Sequence, residues 1–384
     1  MDTRPVTFPD LCIVGGLQLD APGGHPSKSM AQAWRECGGR VLYAEIPADP
    51  WRSVSPAAMP DGLWRCGVEP SYWLPRTWPE CWRRRQVAAG VRRIDRALDA
   101  CGMRRASTAF LYCGWFWREM ASLAGAAHVY DCIDDSAAFP HIARHEWMRR
   151  RVEAGEAAMV AAVQATLAVS PTLVDMHRHA ATRIELAPNG VDLACWRTDA
   201  TGALPESLAV LPRPRAVLFG NLQDKLDYAL VAALAEAMPH VGFAIVGPLM
   251  AGVVLPAARQ NLRWHDGVPQ ATLAGWMHGM DVALVPLRDT PFNRASCPLK
   301  VLEALGAGVP VVASRIPMTE YWQARFPDRI FLADDMAGWQ AALSKACAAG
   351  RRALSTQEAQ PLTWNARARQ LAGIIHEVSR GAGA

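Results

Sequence analysis

The sequence lacks the features that mark several classes of protein. None of its ten cysteines forms a C-x-x-C pair or another spacing typical of a zinc site. No run of 18 apolar residues occurs, and the first ten residues lack the apolar core of a signal peptide. Gly15, Gly16, Gly23 and Gly24 do not form G-x-G-x-x-G, which argues against a dinucleotide site. We therefore expect reduced cysteines, no metal and a cytoplasmic protein.

A strong excess of one charge is also missing. The chain has 40 Lys and Arg against 36 Asp and Glu, a net charge of +4. A nucleic-acid-binding protein usually has a larger basic excess, so we expect no nucleic-acid partner. At 384 residues the chain exceeds the usual size of one domain, and two domains are expected. Residues 197–213 contain several prolines and little periodicity, which indicates a boundary near there.

Short apolar runs alternate with helical patterns in both halves of the chain. The runs that we predict to be strands are 11–16, 40–46, 109–112, 128–132, 167–170 and 184–187 in the first half, and 216–219, 242–246, 282–286, 309–313 and 330–333 in the second. This alternation predicts an α/β fold with parallel sheets, whose ligands lie beyond the carboxyl ends of the strands.

The most informative segment is residues 296–314, SCPLKVLEALGAGVPVVAS. It predicts a helix that Ser296 caps and that has Pro298 in its first turn, followed by a buried strand. The free N–H groups and positive dipole at such a helix opening suit a diphosphate, and Lys300 adds a full charge there. Glu303 lies about a turn further on, where a carboxylate can accept hydrogen bonds from ribose hydroxyls.

These residues resemble the donor site of the nucleotide-sugar glycosyltransferases of the GT-B fold, particularly family four (group 1), with its pattern P-L-K-x-x-E-x-x-x-x-G-x-P-V-V. Three other segments resemble motifs of that family in the same order: 187–192 (APNGVD), 219–227 (FGNLQDKLD) and 363–369 (TWNARAR). The resemblance spans roughly residues 187–370. It implies two Rossmann-like domains with parallel sheets facing across a cleft.

The resemblance also implies domain bounds and a donor site. The acceptor-binding domain would be residues 1–200 with a closing helix, 363–384, packed back on it, and the donor-binding domain would be 201–362. The donor diphosphate and ribose would contact these residues: Gly16, Asn221, Lys225, Ser296, Pro298, Leu299, Lys300 and Glu303. A site of this kind needs no metal ion.

One position departs from the family pattern. Most members have a second glutamate eight residues before the first, facing the transferred sugar, but here that position is Ala295. Asn293 or Arg294 are the candidates to replace it. The identity of the donor sugar therefore stays open.

Residues 129–136, VYDCIDDS, are a strand that leads into three carboxylates. The D-x-D metal site of the other glycosyltransferase fold is a weak alternative, because lysines and a helix terminus already serve the diphosphate. We predict that Asp134 is the general base that takes the proton of the acceptor hydroxyl. Asp131 better fits a structural role, capping a helix or pairing with an arginine such as Arg144. A base at Asp134 implies inversion of the anomeric configuration, whereas family four implies retention, and this conflict stays open.

His25 lies in the loop after the first predicted strand. GT-B enzymes bring this loop close to the reacting sugar and phosphate. We therefore predict that His25 contacts the acceptor or the donor phosphate. A loop histidine that is merely exposed is the alternative.

A basic helix forms part of the first domain. Residues 76–105 contain nine arginines against three acidic residues. The arginines expected on one helical face are Arg83, Arg84, Arg85, Arg92, Arg93 and Arg96. Such a face either docks on anionic lipid or is simply solvated.

Together these observations predict a glycosyltransferase that moves a sugar from a nucleotide donor to a glycan acceptor, lipid-linked and at the inner membrane face, in polysaccharide or glycoconjugate biosynthesis. A nicotinamide oxidoreductase is a remote alternative, and two nearer alternatives stay open. One is a hydrolase or epimerase of nucleotide sugars with the same fold, and the other is a catalytically silent nucleotide-sugar-binding subunit.

Overall fold

The structure is a computed structural model that describes residues 7–20, 25–46, 57–59, 62–68, 80–118, 120–121, 125–197 and 202–381, without the side chains of residues 80, 82–84, 86 and 381. The chain forms two compact units, Met1–Asn189 with Trp364–Ala384, and Gly190–Thr363. The first unit therefore holds both ends of the chain. Among the described residues, no helix is long and apolar enough to cross a membrane.

The first unit contains an eight-stranded sheet in the order β3-β4-β2-β1-β5-β6-β7-β8. All neighbouring strands are parallel except β3, which runs antiparallel to β4. The strands are β1 Asp10–Gly16, β2 Val41–Glu45, β3 Ala57–Ala58, β4 Leu63–Gly67, β5 Thr108–Tyr112, β6 Ala127–Cys132, β7 Ala165–Ala168 and β8 Ile184–Leu186. The helices are α1 Pro26–Glu36, α2 Glu80–Ala100, α3 Pro140–Ala143, α4 Glu146–Ala162, α5 Pro171–His177 and, at the end of the chain, α15 Trp364–Gly381.

The second unit contains a six-stranded parallel sheet in the order β11-β10-β9-β12-β13-β14. Its strands are β9 Arg215–Phe219, β10 Gly242–Val246, β11 Leu262–His265, β12 Val282–Val285, β13 Val311–Ser314 and β14 Ile330–Ala333. Its helices are α6 Leu193–Trp196, α7 Glu206–Ala209, α8 Tyr228–Ala237, α9 Gln270–Trp276, α10 Pro291–Ala295, α11 Leu299–Gly306, α12 Pro317–Arg325, α13 Met336–Ala349 and α14 Thr356–Ala359. Short 3-10 turns lie at Arg105–Ser107, Trp115–Trp117, Ser136–Ala138, Met277–Gly279 and Gln360–Leu362.

The central strands are buried along their whole length, as parallel strands covered by helices must be. Residues 11–16 of β1 and all five residues of β10 are buried. Strand order reverses once in each sheet, between β1 and β5 in the first and between β9 and β12 in the second. Ligands of doubly wound sheets bind outside the carboxyl ends of the strands at such a reversal. The loops that follow these four strands are therefore the places to look for a site.

Candidate functional site

In the second unit, the loop after β9 comes against the side chain of Lys300. Gly220 follows β9 with a φ of +92°, a conformation that favours glycine. A Cβ atom at this position would lie 2.9 Å from Cε and 3.2 Å from Nζ of Lys300. The backbone of the loop and the end of the Lys300 side chain therefore lie side by side.

Lys300 and Glu303 are half-buried on successive turns of α11. Burial and the nearby Lys225 lower the pKa of Lys300 to about 8. Burial raises the pKa of Glu303 to about 7, an effect that Lys300 opposes. Neither side chain forms a hydrogen bond or an ion pair within the part of the chain that the structure describes. Two partly desolvated charges without such contacts are suited to a ligand that carries the complementary groups.

A buried asparagine holds the backbone of Lys225. The side-chain amide of Asn293 donates hydrogen bonds to the carbonyl of Lys225 at 3.0 Å and to that of Arg288 at 2.7 Å. Asn293 is fully buried, and Nζ of Lys225 lies 5.6 Å from the ring centre of Phe292. Asn293 therefore supports the loop that carries Lys225. The sequence had instead suggested it as a contact of the transferred sugar.

The other residues at the position of the missing glutamate also have structural contacts. Arg294 forms an exposed ion pair with Asp289 at 2.5 Å. Ala295 is buried at the end of α10. A short apolar side chain there offers no polar group to a sugar.

The predicted helix cap at Ser296 is wrong. Helix α11 begins at Leu299 with Pro298 at the N-cap, and no side chain caps it. Ser296 ends α10, and its hydroxyl donates to the carbonyl of Asn293 at 2.8 Å. The reason is position, because a capping side chain must come directly before the first helical residue. The uncapped N–H groups keep the positive end of the helix dipole available to an anion.

Asn221 lies in the loop between β9 and α8 and is exposed. Pro298 and Leu299 are half-buried at the opening of α11. The second unit thus brings Lys225, Lys300, Glu303 and the start of α11 to one end of its sheet.

In the first unit, Gly16 is buried at the end of β1 beneath Tyr43. A Cβ atom at Gly16 would lie 2.2 Å from the hydroxyl oxygen of Tyr43. That hydroxyl donates to the carbonyl of Leu17 at 2.7 Å and lies 2.7 Å from the hydroxyl of Ser27. The absence of a side chain at Gly16 thus permits the close packing that shapes this loop.

His25 is the N-cap of α1 and is half-buried. Its Nδ1 accepts a hydrogen bond from the backbone N–H of Ser27 at 3.3 Å. Burial, and to a smaller extent the charge of Lys28, lowers the pKa of His25 to about 4. The ring is therefore neutral near pH 7, and with Nδ1 as acceptor its proton lies on Nε2. His25 can offer a neutral N–H donor to a ligand but no positive charge.

The three aspartates after β6 have different surroundings. Asp131 is buried and its Oδ1 lies 2.5 Å from Arg367 of α15, so it pairs with that residue and not with Arg144. Asp135 accepts hydrogen bonds from the N–H groups of Ala137 and Ala138. Asp134 is half-buried at the carboxyl end of the strand.

Sequence reasoning missed Gly220 and the role of Asn293. A positive φ is invisible in the sequence, but a glycine directly after an apolar strand at a strand-order reversal was a usable signal. The contacts of Asn293 join segments 68 residues apart and had no local signal.

The order and direction of the strands in the two sheets are those of a GT-B fold. The family model "Glycosyl transferases group 1" matches residues 213–348, which confirms the resemblance seen in the motifs. Those residues include β9 to β14 and α11.

One curated relative is named as a teichuronic acid biosynthesis glycosyltransferase, TuaH, of Bacillus subtilis strain 168. It is 27% identical over 213 residues, which cover 51% of this chain and 52% of that protein. The chain thus matches about half the length of this relative.

Two solved structures are similar over nearly the whole chain. A sucrose-phosphate synthase from Thermosynechococcus elongatus has a TM-score of 0.64 at 15% identity and is covered to 98%, as is this chain. A trehalose-6-phosphate protein from E. coli, bound with UDP-2-fluoro glucose, has a TM-score of 0.55 at 13% identity, and 97% of each chain is covered. At these identities the likeness establishes the fold.

Proposed function

We propose that the protein is a glycosyltransferase that uses a nucleotide-sugar donor. The observation that supports this most directly is the ammonium of Lys300 against Gly220, with Glu303 one turn further along α11. A cation beside a helix opening fits a diphosphate, and a carboxylate one turn away fits the hydroxyls of a ribose. The family match over residues 213–348 covers this part of the chain.

We propose that the donor site works without a metal ion. Lys225 and Lys300 supply two positive charges, and the N–H groups at Leu299 and Lys300 supply uncapped donors. The segments that carry the two lysines also include Asn221, in the loop after β9, and Ser296 and Pro298, just before α11. Together these groups can neutralise the leaving diphosphate, which is the task that a divalent cation performs in other transferases.

A thermal-shift screen tests the donor proposal. Purified protein is heated with UDP, GDP, dTDP, CMP or NAD, each with and without EDTA. We expect one nucleoside diphosphate to raise the melting temperature by the same increment in both conditions. Stabilisation by NAD alone, or by none of the ligands, would overturn the proposal.

For the transfer step, we propose Asp134 as the general base and Gly16 and His25 as neighbours of the reacting groups. The half-buried position of Asp134 after β6 supports the first role, and the neutral imidazole of His25 supports a donor to an oxygen. Asp134→Asn should abolish sugar transfer while nucleotide binding persists. Full activity in that variant would remove Asp134 as the base.

We further propose a glycan acceptor that is linked to lipid, at the inner face of the membrane. On α2, Arg85, Arg92 and Arg96 are exposed and Arg93 is half-buried, whereas the side chains of Arg83 and Arg84 lie outside the described residues. An exposed row of arginines on a helix suits anionic headgroups, at about 1 kcal/mol per charge near the surface. The name of the TuaH relative is consistent with a role in polysaccharide synthesis.

Vesicle sedimentation tests the membrane proposal. Binding to vesicles with phosphatidylglycerol should weaken when Arg92 and Arg96 become glutamine. Arg149→Gln with Arg150→Gln is the matched control, because these arginines already pair with Glu146 on α4. Equal binding by both variants would contradict the proposal.

A catalytically silent nucleotide-sugar-binding subunit is the second candidate. The buried Ala295 favours it, because no carboxylate stands where the family pattern has its second glutamate. Donor binding without turnover on a broad panel of acceptors would support this candidate over the transferase. A hydrolase or epimerase would instead turn over the donor with no acceptor present.

A further inference from the structure

Three potential metal ligands meet in the first unit. Cys132 ends β6, Glu156 lies in α4 and His177 ends α5. All three are buried, and one ligand atom from each lies within 4.8 Å of the others. The thiol of Cys132 donates a hydrogen bond to Oε1 of Glu156, with Sγ 3.8 Å from that oxygen.

The internal contacts do not use all of these atoms. Tyr130 donates a hydrogen bond to Oε1 of Glu156 at 2.7 Å. Nε2 of His177 is buried, only 8% of the residue is exposed, and the described residues provide no hydrogen-bond partner for this atom. A buried polar atom without a hydrogen-bond partner lowers the stability of the fold by about 1–3 kcal/mol. A ligand that bonds to this nitrogen would remove that cost.

In these surroundings the thiol and the carboxyl hold their protons more firmly than in water, so a cation would have to displace them. Burial raises the pKa of Glu156 to about 7 and that of the Cys132 thiol well above its ordinary value. Burial lowers the pKa of His177, which keeps its imidazole neutral and able to coordinate. Without a cation, therefore, the cluster is a set of protonated or neutral groups held close together.

We propose that Cys132, Glu156 and His177 bind one divalent ion of the zinc class. Zinc lies about 2.3 Å from sulfur and about 2.1 Å from nitrogen or oxygen, so tetrahedral ligand atoms are roughly 3.4–3.6 Å apart. Ligand atoms that lie within 4.8 Å of one another reach such separations when they close by at most about 1.4 Å. The thiol proton, and the carboxyl proton where present, leave to solvent as the metal bonds form. A thiolate and an imidazole favour zinc over magnesium or calcium, and the fourth position is left for water.

Such an ion would fasten the end of β6 to α4 and α5. Asp134 follows Cys132 by two residues, so the ion would fix the backbone that presents the proposed base. Its place in the first unit leaves the donor proposal unchanged. The spacings of 24 and 21 residues between the three ligands match no common zinc motif, which is why the sequence did not indicate the site.

Metal titration of full-length, untagged protein tests the inference. After treatment with EDTA and dialysis, the protein is titrated with zinc against a chromophoric chelator, and cobalt is added to a separate sample. We expect one equivalent of zinc and a thiolate-to-cobalt absorption band. Zinc should also raise the melting temperature, while the increment that a nucleotide adds stays the same.

Variants separate the cluster from adventitious binding. Cys132→Ser and His177→Gln should each weaken zinc binding by more than about 100-fold, beyond the effect of a change outside the ligand set. Glu156→Gln keeps the size of the side chain and provides a third variant if either of the others fails to fold. Cys66→Ser, at another buried cysteine, is the control and should bind zinc normally. Absence of stoichiometric zinc, or equal affinity in the folded variants and the control, would overturn the proposal.

Discussion

The two sheets place charged groups at the carboxyl ends of their strands in opposite ways. In the first unit, Asp131 is buried against Arg367, with 1% and 2% of their side chains exposed. In the second unit, Lys300 and Glu303 are half-buried and form no ion pair or hydrogen bond with the described residues. The first arrangement is an internal support of the fold, and the second is suited to an external ligand.

This difference indicates how each set of charges contributes to the free energy of unfolding. A buried pair whose partners are both present is tolerated, but loss of one partner leaves an uncompensated charge. Charges that await a ligand lower stability in its absence, because burial disfavours their ionised forms. Substitutions should therefore affect folding in the first unit and binding in the second.

Arg367→Ala should have the largest effect on stability. It leaves the buried carboxylate of Asp131 without its partner, which typically costs about 3–5 kcal/mol. Urea unfolding measures the loss. Arg369→Ala is the matched control, because Arg369 is on the same helix and exposed, and it should change little.

A second variant pair checks the cause of that loss. Replacement of both partners, Asp131→Leu with Arg367→Met, should restore much of the stability, since buried ion pairs are often exchanged for apolar residues at little cost. If Arg367→Ala were no less stable than the Arg369→Ala control, the support role of this pair would be wrong.

Lys300→Met should have the next largest effect, on binding and not on folding. Methionine keeps the contact with Gly220 but removes the charge, and a hydrogen bond to a charged group contributes about 1.5–3 kcal/mol. The dissociation constant of the preferred nucleoside diphosphate should rise roughly tenfold to 150-fold in calorimetry. The melting temperature without ligand should not fall, because burial already disfavours the ammonium.

Lys345→Met is the control for this prediction. Lys345 is exposed on α13, in the same unit, and its loss should leave nucleotide affinity unchanged. If Lys300→Met lowered the melting temperature but kept normal nucleotide affinity, Lys300 would support the fold and not the binding of a ligand.

The sequence predicted most of the strands but missed β3, β4 and β11. The apolar runs at β9, β10, β12 and β13 were visible because central parallel strands are buried on both faces. Strand β11 was missed, since Arg263 and the 45% exposed Trp264 interrupt its apolar pattern. An edge strand has one neighbour and part of its surface in solvent, so its sequence need not be apolar.

The site shows the same limit in another form. Lys300 and Glu303 were predicted because their spacing places them on successive turns of one helix. The cap at Ser296 was predicted wrongly, because the start of α11 depends on how α10 ends and uses that hydroxyl. The pair of Asp131 and Arg367 joins positions 236 residues apart, and only the folded chain identifies the partner.

The smallest effect that we predict is a dependence of nucleotide affinity on pH. With a pKa of about 7, Glu303 is largely protonated at pH 6 and loses acceptor capacity for the ribose hydroxyls. With a pKa of about 8, Lys300 loses its charge as the pH rises above that value. Affinity should therefore be highest between about pH 7 and 8 and fall several-fold on either side, as measured by calorimetry from pH 5.5 to 9.5.

Glu303→Gln isolates the acidic side of that profile. The variant should bind the nucleotide more weakly at pH 8. Its affinity should fall at acidic pH only as far as titration of the nucleotide phosphate requires. The fall in affinity at alkaline pH should remain. Titration of Glu303 does not itself destabilise the fold at acidic pH, because a carboxyl whose folded pKa is raised from 4.5 to about 7 costs stability as the pH rises through that interval. If the variant kept the full acidic decline, Glu303 would not be the group that meets the ribose, and the charges of the second unit would have to be reassigned.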